Sequence, residues 1–137
     1  SETPPASKIV ETLSHINRHF GADQFEDILL NLEGDKSEWA MTELATLRTK
    51  SPQTCKVALR QLSESLKLTD FADNMAMEYR VASRVLVRPD FAEGVRAVIV
   101  DKDNAPQWDP AMPEGVTEDL INDIFAALPA QEEWKPL

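Results

Sequence analysis

One cysteine, Cys55, stands among 137 residues, so no intramolecular disulfide can form and a reducing compartment suits the chain. Glycines number four and never cluster, which excludes a glycine-rich phosphate loop. No serine sits in a Gly-x-Ser-x-Gly elbow, and Cys55 falls on the apolar side of its predicted helix, so nucleophilic catalysis is not expected. No apolar run approaches the roughly 18 residues that span a bilayer, and SETPPAS lacks the charged and apolar regions of a signal peptide. No membrane partner is therefore expected. Positive charge is also scarce: 14 Lys and Arg face 24 Asp and Glu, a net of -10. That balance argues against nucleic acid as a partner, because phosphate contacts need clustered cations.

The cations present are unevenly placed. Residues 1–47 and 103–137 are acidic, with nets of -6 and -7, whereas 48–102 carries +3. An anion-binding surface, if there is one, belongs to the middle segment.

Apolar spacing predicts an all-α fold of about six or seven amphipathic helices in a single helical domain, 1–137, with frayed ends at 1–7 and 129–137. Ser7 is read as the cap of a first helix with Ile9, Leu13, Ile16 and Phe20 on one face, ended by Gly21. Phe25, Ile28, Leu29 and Leu32 mark a second, closed by Gly34, and Ala40, Leu44 and Leu47 a third. Ser51 before Pro52 is a strong start signal for a fourth helix, which is expected to bury Cys55, Ala58, Leu59, Leu62 and Leu66. A fifth begins at Asp70 with Phe71, Met75, Tyr79, Ala82 and Leu86 on one face, and Pro89 is expected to close it. Asp90 is read as the cap of a sixth helix bearing Phe91, Val95, Val98 and Ile99. The β-branched VRAVIV also suits a strand, but no partner strand is visible and helix is preferred. NAPQWDPAMPEG is a proline-rich connector in which Trp108, between Pro106 and Pro110, is expected to anchor against the helical core. Thr117 caps a last helix with Leu120, Ile121, Ile124, Phe125 and Leu128.

Two patterns have chemical potential. His15 and His19 stand four apart, one helical turn, where two imidazoles can share a metal ion. Ile16 occupies the place of the metalloprotease glutamate and no third ligand is indicated, so no metal is expected. Arg80, Arg84 and Arg88 repeat every four residues and form a basic stripe suited to a phosphate or an acidic partner, or to ordinary ion pairs with nearby carboxylates.

Four segments in order, SPQTCKVALRQL, MEYRVASRVL, DFAEGVRAVIVDKDNAPQWDP and VTEDLINDIF, resemble the C-terminal region of the 3-hydroxyisobutyryl-CoA hydrolases, in the crotonase (enoyl-CoA hydratase/isomerase) superfamily. The likeness runs from about residue 9 to 126. Its most specific pieces are Asp90-Phe91, Glu93 to Ala97, Asp101-Lys102-Asp103, and Pro106, Trp108 and Pro110.

The resemblance implies CoA-thioester hydrolysis in valine catabolism, performed by an N-terminal crotonase core whose backbone N–H groups form an oxyanion hole. It implies no catalytic residue in this chain, which alone is expected to be inactive and to bind no cofactor. Expected partners are that core, the CoA thioester and further copies of the chain. Lys102 matches a lysine that in crotonase relatives lies near the CoA phosphates, although Asp103 stands where a second basic residue would be. Arg96 is read as an ion-pair partner of Glu93 or Asp101. The implied location is bacterial cytoplasm or mitochondrial matrix. The alternatives are another hydratase or isomerase activity, or a non-enzymatic module of a larger assembly.

Overall fold

A computed structural model describes residues 7–136. The fraying expected for 1–7 thus falls, apart from Ser7, outside the described residues, as does Leu137. Seven α-helices and no strand occur among the described residues, as an all-α pattern requires. They divide into two compact units, with the boundary between Thr49 and Lys50.

The first unit holds α1 (Lys8–His19), α2 (Phe25–Gly34) and α3 (Glu38–Leu47). Phe25, Ile28 and Leu32 of α2 are buried, as are Ala40 and Leu44 of α3, so the 3.6-residue period placed these two faces correctly. Ser37 begins α3 because its hydroxyl accepts the Ala40 N–H at 3.3 Å. Among the described side chains of α1, His19 alone is buried.

The second unit holds α4 (Pro52–Ser65), α5 (Phe71–Val85), α6 (Pro89–Val95), a π-helical turn (Arg96–Val100), a short 3₁₀ turn (Pro113–Gly115) and α7 (Glu118–Phe125). Both α4 and α5 pack on α7. Val57, Val81, Val116, Ile121 and Ile124 form the core cluster, flanked by Val85, Leu120 and Phe125. Three caps read from sequence hold: the side chains of Ser51, Asp70 and Thr117 accept N–H groups of Thr54, Ala72 and Leu120. VRAVIV is helical, and the Asp101 N–H reaches back five residues to the Arg96 carbonyl at 2.8 Å.

Two boundaries differ from expectation. Pro89 opens α6 rather than closing α5, since proline suits a first helical position, where its missing N–H costs nothing. Arg88 is then the cap residue, and Asp90 lies inside the first turn with its carboxylate engaged elsewhere.

The buried faces of three helices also differ. α4 buries Gln53 and Val57 while Leu62 and Leu66 are exposed, and α5 buries Met77 and Val81 while Phe71, Tyr79 and Leu86 are exposed. Phe91, Val98 and Ile99 are likewise exposed, and Ala97 is the buried residue there. Ile9 and Leu13 of α1 are exposed too. In α5 two apolar faces compete, Phe71, Tyr79 and Leu86 against Met77 and Val81. Periodicity selected the larger face of α5, but the described residues cover the smaller one.

Candidate functional site

The densest polar arrangement joins α6 to the connector that follows it. Arg96 pairs with Glu93 at 2.8 Å, and with Asp101 and Asp103 at 2.7 Å each. The predicted partners Glu93 and Asp101 are therefore both correct, and Asp103 joins them. Glu93 also accepts the Gln107 N–H at 2.7 Å. The Arg96 guanidinium, with that N–H, draws the Glu93 carboxyl down to about 2. Asp103 is lowered first by Arg96 and then by the Ala105 N–H. The Arg96 pKa is raised, chiefly by Glu93.

A second tie lies at the other end of the connector. Buried Asp90 accepts the Asp109 N–H at 2.8 Å through Oδ1 and the Ser51 hydroxyl through Oδ2. Trp108 lies over Gly94: a methyl group added there would meet its ring edge at 3.5 Å. Trp108 is thus anchored against α6, as its neighbouring prolines suggested.

Lys102 sits at the turn held by this clasp. It has a φ of 57° in the left-handed region, as Asn104 has at 53°. The side chain is exposed, and its ammonium makes no hydrogen bond or ion pair among the described residues. Asp101 and Asp103 on either side are committed to Arg96. Lys102 is the cation of this turn without an ion pair, in a setting that three carboxylates keep acidic overall.

The arginine stripe is used internally. Arg80 binds Glu133 at 2.8 Å, Arg88 donates to Gln53, and Arg84 donates to the carbonyls of Ile124, Ala126 and Ala127. Arg84 thereby serves the free carbonyls at the end of α7, where a cation is also favoured by the helix dipole. Glu133, held by Arg80, accepts the Leu128 N–H at 2.9 Å as well.

In the first unit His15 and His19 stack at 6.5 Å between ring centroids. His19 Nε2 lies 2.9 Å from Asp35 Oδ2, and Trp39 contacts both rings. Spacing within α1 could not reveal Asp35 or Trp39, which arrive from the α2–α3 loop and from α3. The ring contacts of Trp39 have no signature in a one-dimensional pattern. Asp35 does have a local one: it accepts the Ser37 N–H at 2.8 Å, an Asx turn leading into a capped helix. The Ser37 hydrogen bonds, with a smaller contribution from His19, lower the Asp35 carboxyl to about 2.

The hydroxyl–carboxylate pair of Ser51 with Asp90 is buried and ties α4 to α6. Cys55 is half-buried and its thiol pKa is raised by desolvation, the opposite of activation. Among the described residues no helix is long and apolar enough to cross a membrane.

Comparison with known proteins gives a consistent answer. Residues 1–125 match the family model described as enoyl-CoA hydratase/isomerase. The chain is 39% identical over 124 residues to "3-hydroxyisobutyryl-CoA hydrolase, mitochondrial" of Xenopus laevis, covering 90% of this chain and 32% of that protein. The Homo sapiens protein of the same name is 40% identical over 118 residues, covering 86% and 30%. Among solved structures, a carnitinyl-CoA dehydratase from Mycobacterium thermoresistibile superposes with a TM-score of 0.87 at 32% identity, over 94% of this chain and 37% of that one. An enoyl-CoA hydratase from Rhodobacter sphaeroides 2.4.1 gives a TM-score of 0.87 at 27% identity, over 96% and 39%. The chain spans about a third of the length of these relatives.

Proposed function

Since the chain belongs to the enoyl-CoA hydratase/isomerase family, we propose that it is the C-terminal helical part of a 3-hydroxyisobutyryl-CoA hydrolase-like enzyme acting in valine catabolism. The observation carrying this reading is the 39% identity to a named hydrolase through nine-tenths of the chain. On this reading the catalytic groups belong to a core outside residues 1–137, since the chain spans only about a third of the hydrolase it matches. The helical part has two tasks: it covers apolar surface of that core or of a neighbouring subunit, and it lends Lys102 to the CoA phosphates.

The exposed apolar face of α5 supports the covering role. Phe71, Tyr79 and Leu86, which follow one face of α5 to its C-terminal cap, are 78%, 44% and 53% exposed. An apolar face exposed along a helix is the kind of surface that a partner covers. In a eukaryote the location follows the mitochondrial relatives, and in a bacterium it is the cytoplasm.

The test is turnover by the full-length protein of 3-hydroxyisobutyryl-CoA, followed by thiol release, beside hydration of a short enoyl-CoA. Hydrolysis without hydration is expected. Hydration as the main reaction would replace the hydrolase assignment with a hydratase one, the activity named for one of the solved relatives. Lys102→Ala is expected to raise KM for the thioester several-fold with kcat unchanged, because a phosphate contact remote from the reacting carbon binds ground state and transition state alike. An unchanged KM would remove Lys102 from the CoA site.

A further inference from the structure

We propose that His15, His19 and Asp35 form a binding site for a divalent zinc-like ion that ties α1 to the loop between α2 and α3. One ligand atom from each of the three residues lies within 4.8 Å of the other two. His19 Nε2 and Asp35 Oδ2 are already 2.9 Å apart. Tetrahedral zinc, with nitrogen and oxygen ligands at about 2.0–2.2 Å, holds neighbouring donors roughly 3.3 Å apart. The pair therefore needs to open by only about 0.4 Å, and the i, i+4 spacing lets His15 close from the same side of α1.

A second observation concerns the buried ring itself. His19 is 2% exposed, and its Nδ1 has no hydrogen-bond partner among the described residues. Burial fixes the ring with Nε2 toward the Asp35 carboxylate, whereas Nδ1, on the far side of the ring, is not a ligand of the same ion. Trp39 contacts His15 and His19 at 5.1 and 5.9 Å between centroids and limits how far either ring can turn. His15 and Asp35 are half-buried, leaving a solvent side for water as a fourth ligand.

Ligand chemistry selects the ion. Two imidazoles and one carboxylate suit zinc and its late first-row neighbours, whereas magnesium and calcium prefer all-oxygen shells. The opposing charge is Arg18, whose Nη1 lies 4.0 Å from Asp35 Oδ2, but that side chain is 74% exposed and can swing into solvent. Because the ligands are 16 residues apart in sequence at His19 and Asp35, the ion would act as a cross-link and raise the thermal stability of the first unit.

The experiment is calorimetric titration of the full-length protein with zinc chloride, alongside His15→Ala and Asp35→Asn. His15 is half-buried, and the asparagine side chain of the second variant retains an oxygen for the Ser37 N–H, so both variants should keep their helical circular dichroism. The expected result is one zinc per chain, affinity weakened by about tenfold or more in each variant, and a zinc-induced rise in melting temperature that both variants lose. Substitution with cobalt(II) should add the intense visible absorption of a tetrahedral ion in the parent protein alone. No zinc uptake by the parent protein would overturn the proposal. So would uptake that depends on His15 but not on Asp35, since that is the behaviour of a surface histidine pair.

Discussion

Asp90 and Asp109 are joined across 19 residues by a 2.8 Å hydrogen bond from the Asp109 backbone N–H to the Asp90 carboxylate. This bond closes a loop that contains the π-helical turn, Lys102 and Trp108. With the Glu93–Gln107 tie, it makes the stretch from Asp90 to Asp109 a clasp that folds back on α6. The clasp is structural, and the side chain that it presents outward is Lys102.

Removing the buried end of the tie should be costly. Asp90→Ala leaves the Ser51 hydroxyl and the Asp109 N–H without their acceptor, at about 1–3 kcal/mol for each buried donor that finds no water. Asp90→Asn, which retains one oxygen, should lose less. Urea unfolding of the three proteins checks the order: parent, then Asn, then Ala.

Two glycines should respond oppositely to alanine. At Gly94 an added Cβ would lie 3.5 Å from the Trp108 ring, an ordinary contact, and alanine in a helix is favoured over glycine by roughly 0.5–1 kcal/mol. Gly94→Ala is therefore expected to leave stability unchanged or raise it. At Gly115 the added Cβ would fall 2.7 Å from Pro110 Cβ, so Gly115→Ala must displace a rigid ring and should destabilise by about 1–3 kcal/mol. Thermal melts of the two variants should shift in opposite directions, or at Gly115 alone.

Acid should weaken the clasp through Glu93. Its folded pKa is depressed to about 2 from an ordinary 4.5. Its contribution is therefore present in full above the ordinary value and is lost as pH falls toward the folded one. The stability difference between the parent protein and Glu93→Gln should be constant near neutrality and shrink between about pH 4.5 and 2. A difference that grew on acidification would contradict the assignment.

Residues 1–137 by themselves should self-associate through exposed apolar side chains that include Leu66, Phe71, Tyr79 and Leu86. Sedimentation velocity should show species larger than a monomer, and Phe71→Ser with Leu66→Ser should shift the distribution toward monomer. A monodisperse monomer at all concentrations would argue that these side chains need no cover.

Which helices form was legible in the sequence, because caps are local: Ser51, Asp70 and Thr117 act where hydroxyl and carboxylate chemistry placed them. Which face of α4 or α5 turns inward was not. Phe71, Tyr79 and Leu86 on one side compete with Met77 and Val81 on the other, and periodicity measures apolarity, not the presence of a partner. Arg96 with Glu93 was legible from its three-residue spacing. Asp35 beside His19 was not, since their meeting depends on how α2 returns the chain to the end of α1.

The most direct test of the central claim compares thiol release from 3-hydroxyisobutyryl-CoA by the complete gene product and by residues 1–137 alone. The account predicts release by the complete protein and none by the helical part. Release by residues 1–137 would place a catalytic group within them, and absence of release by the complete protein would contradict the hydrolase assignment.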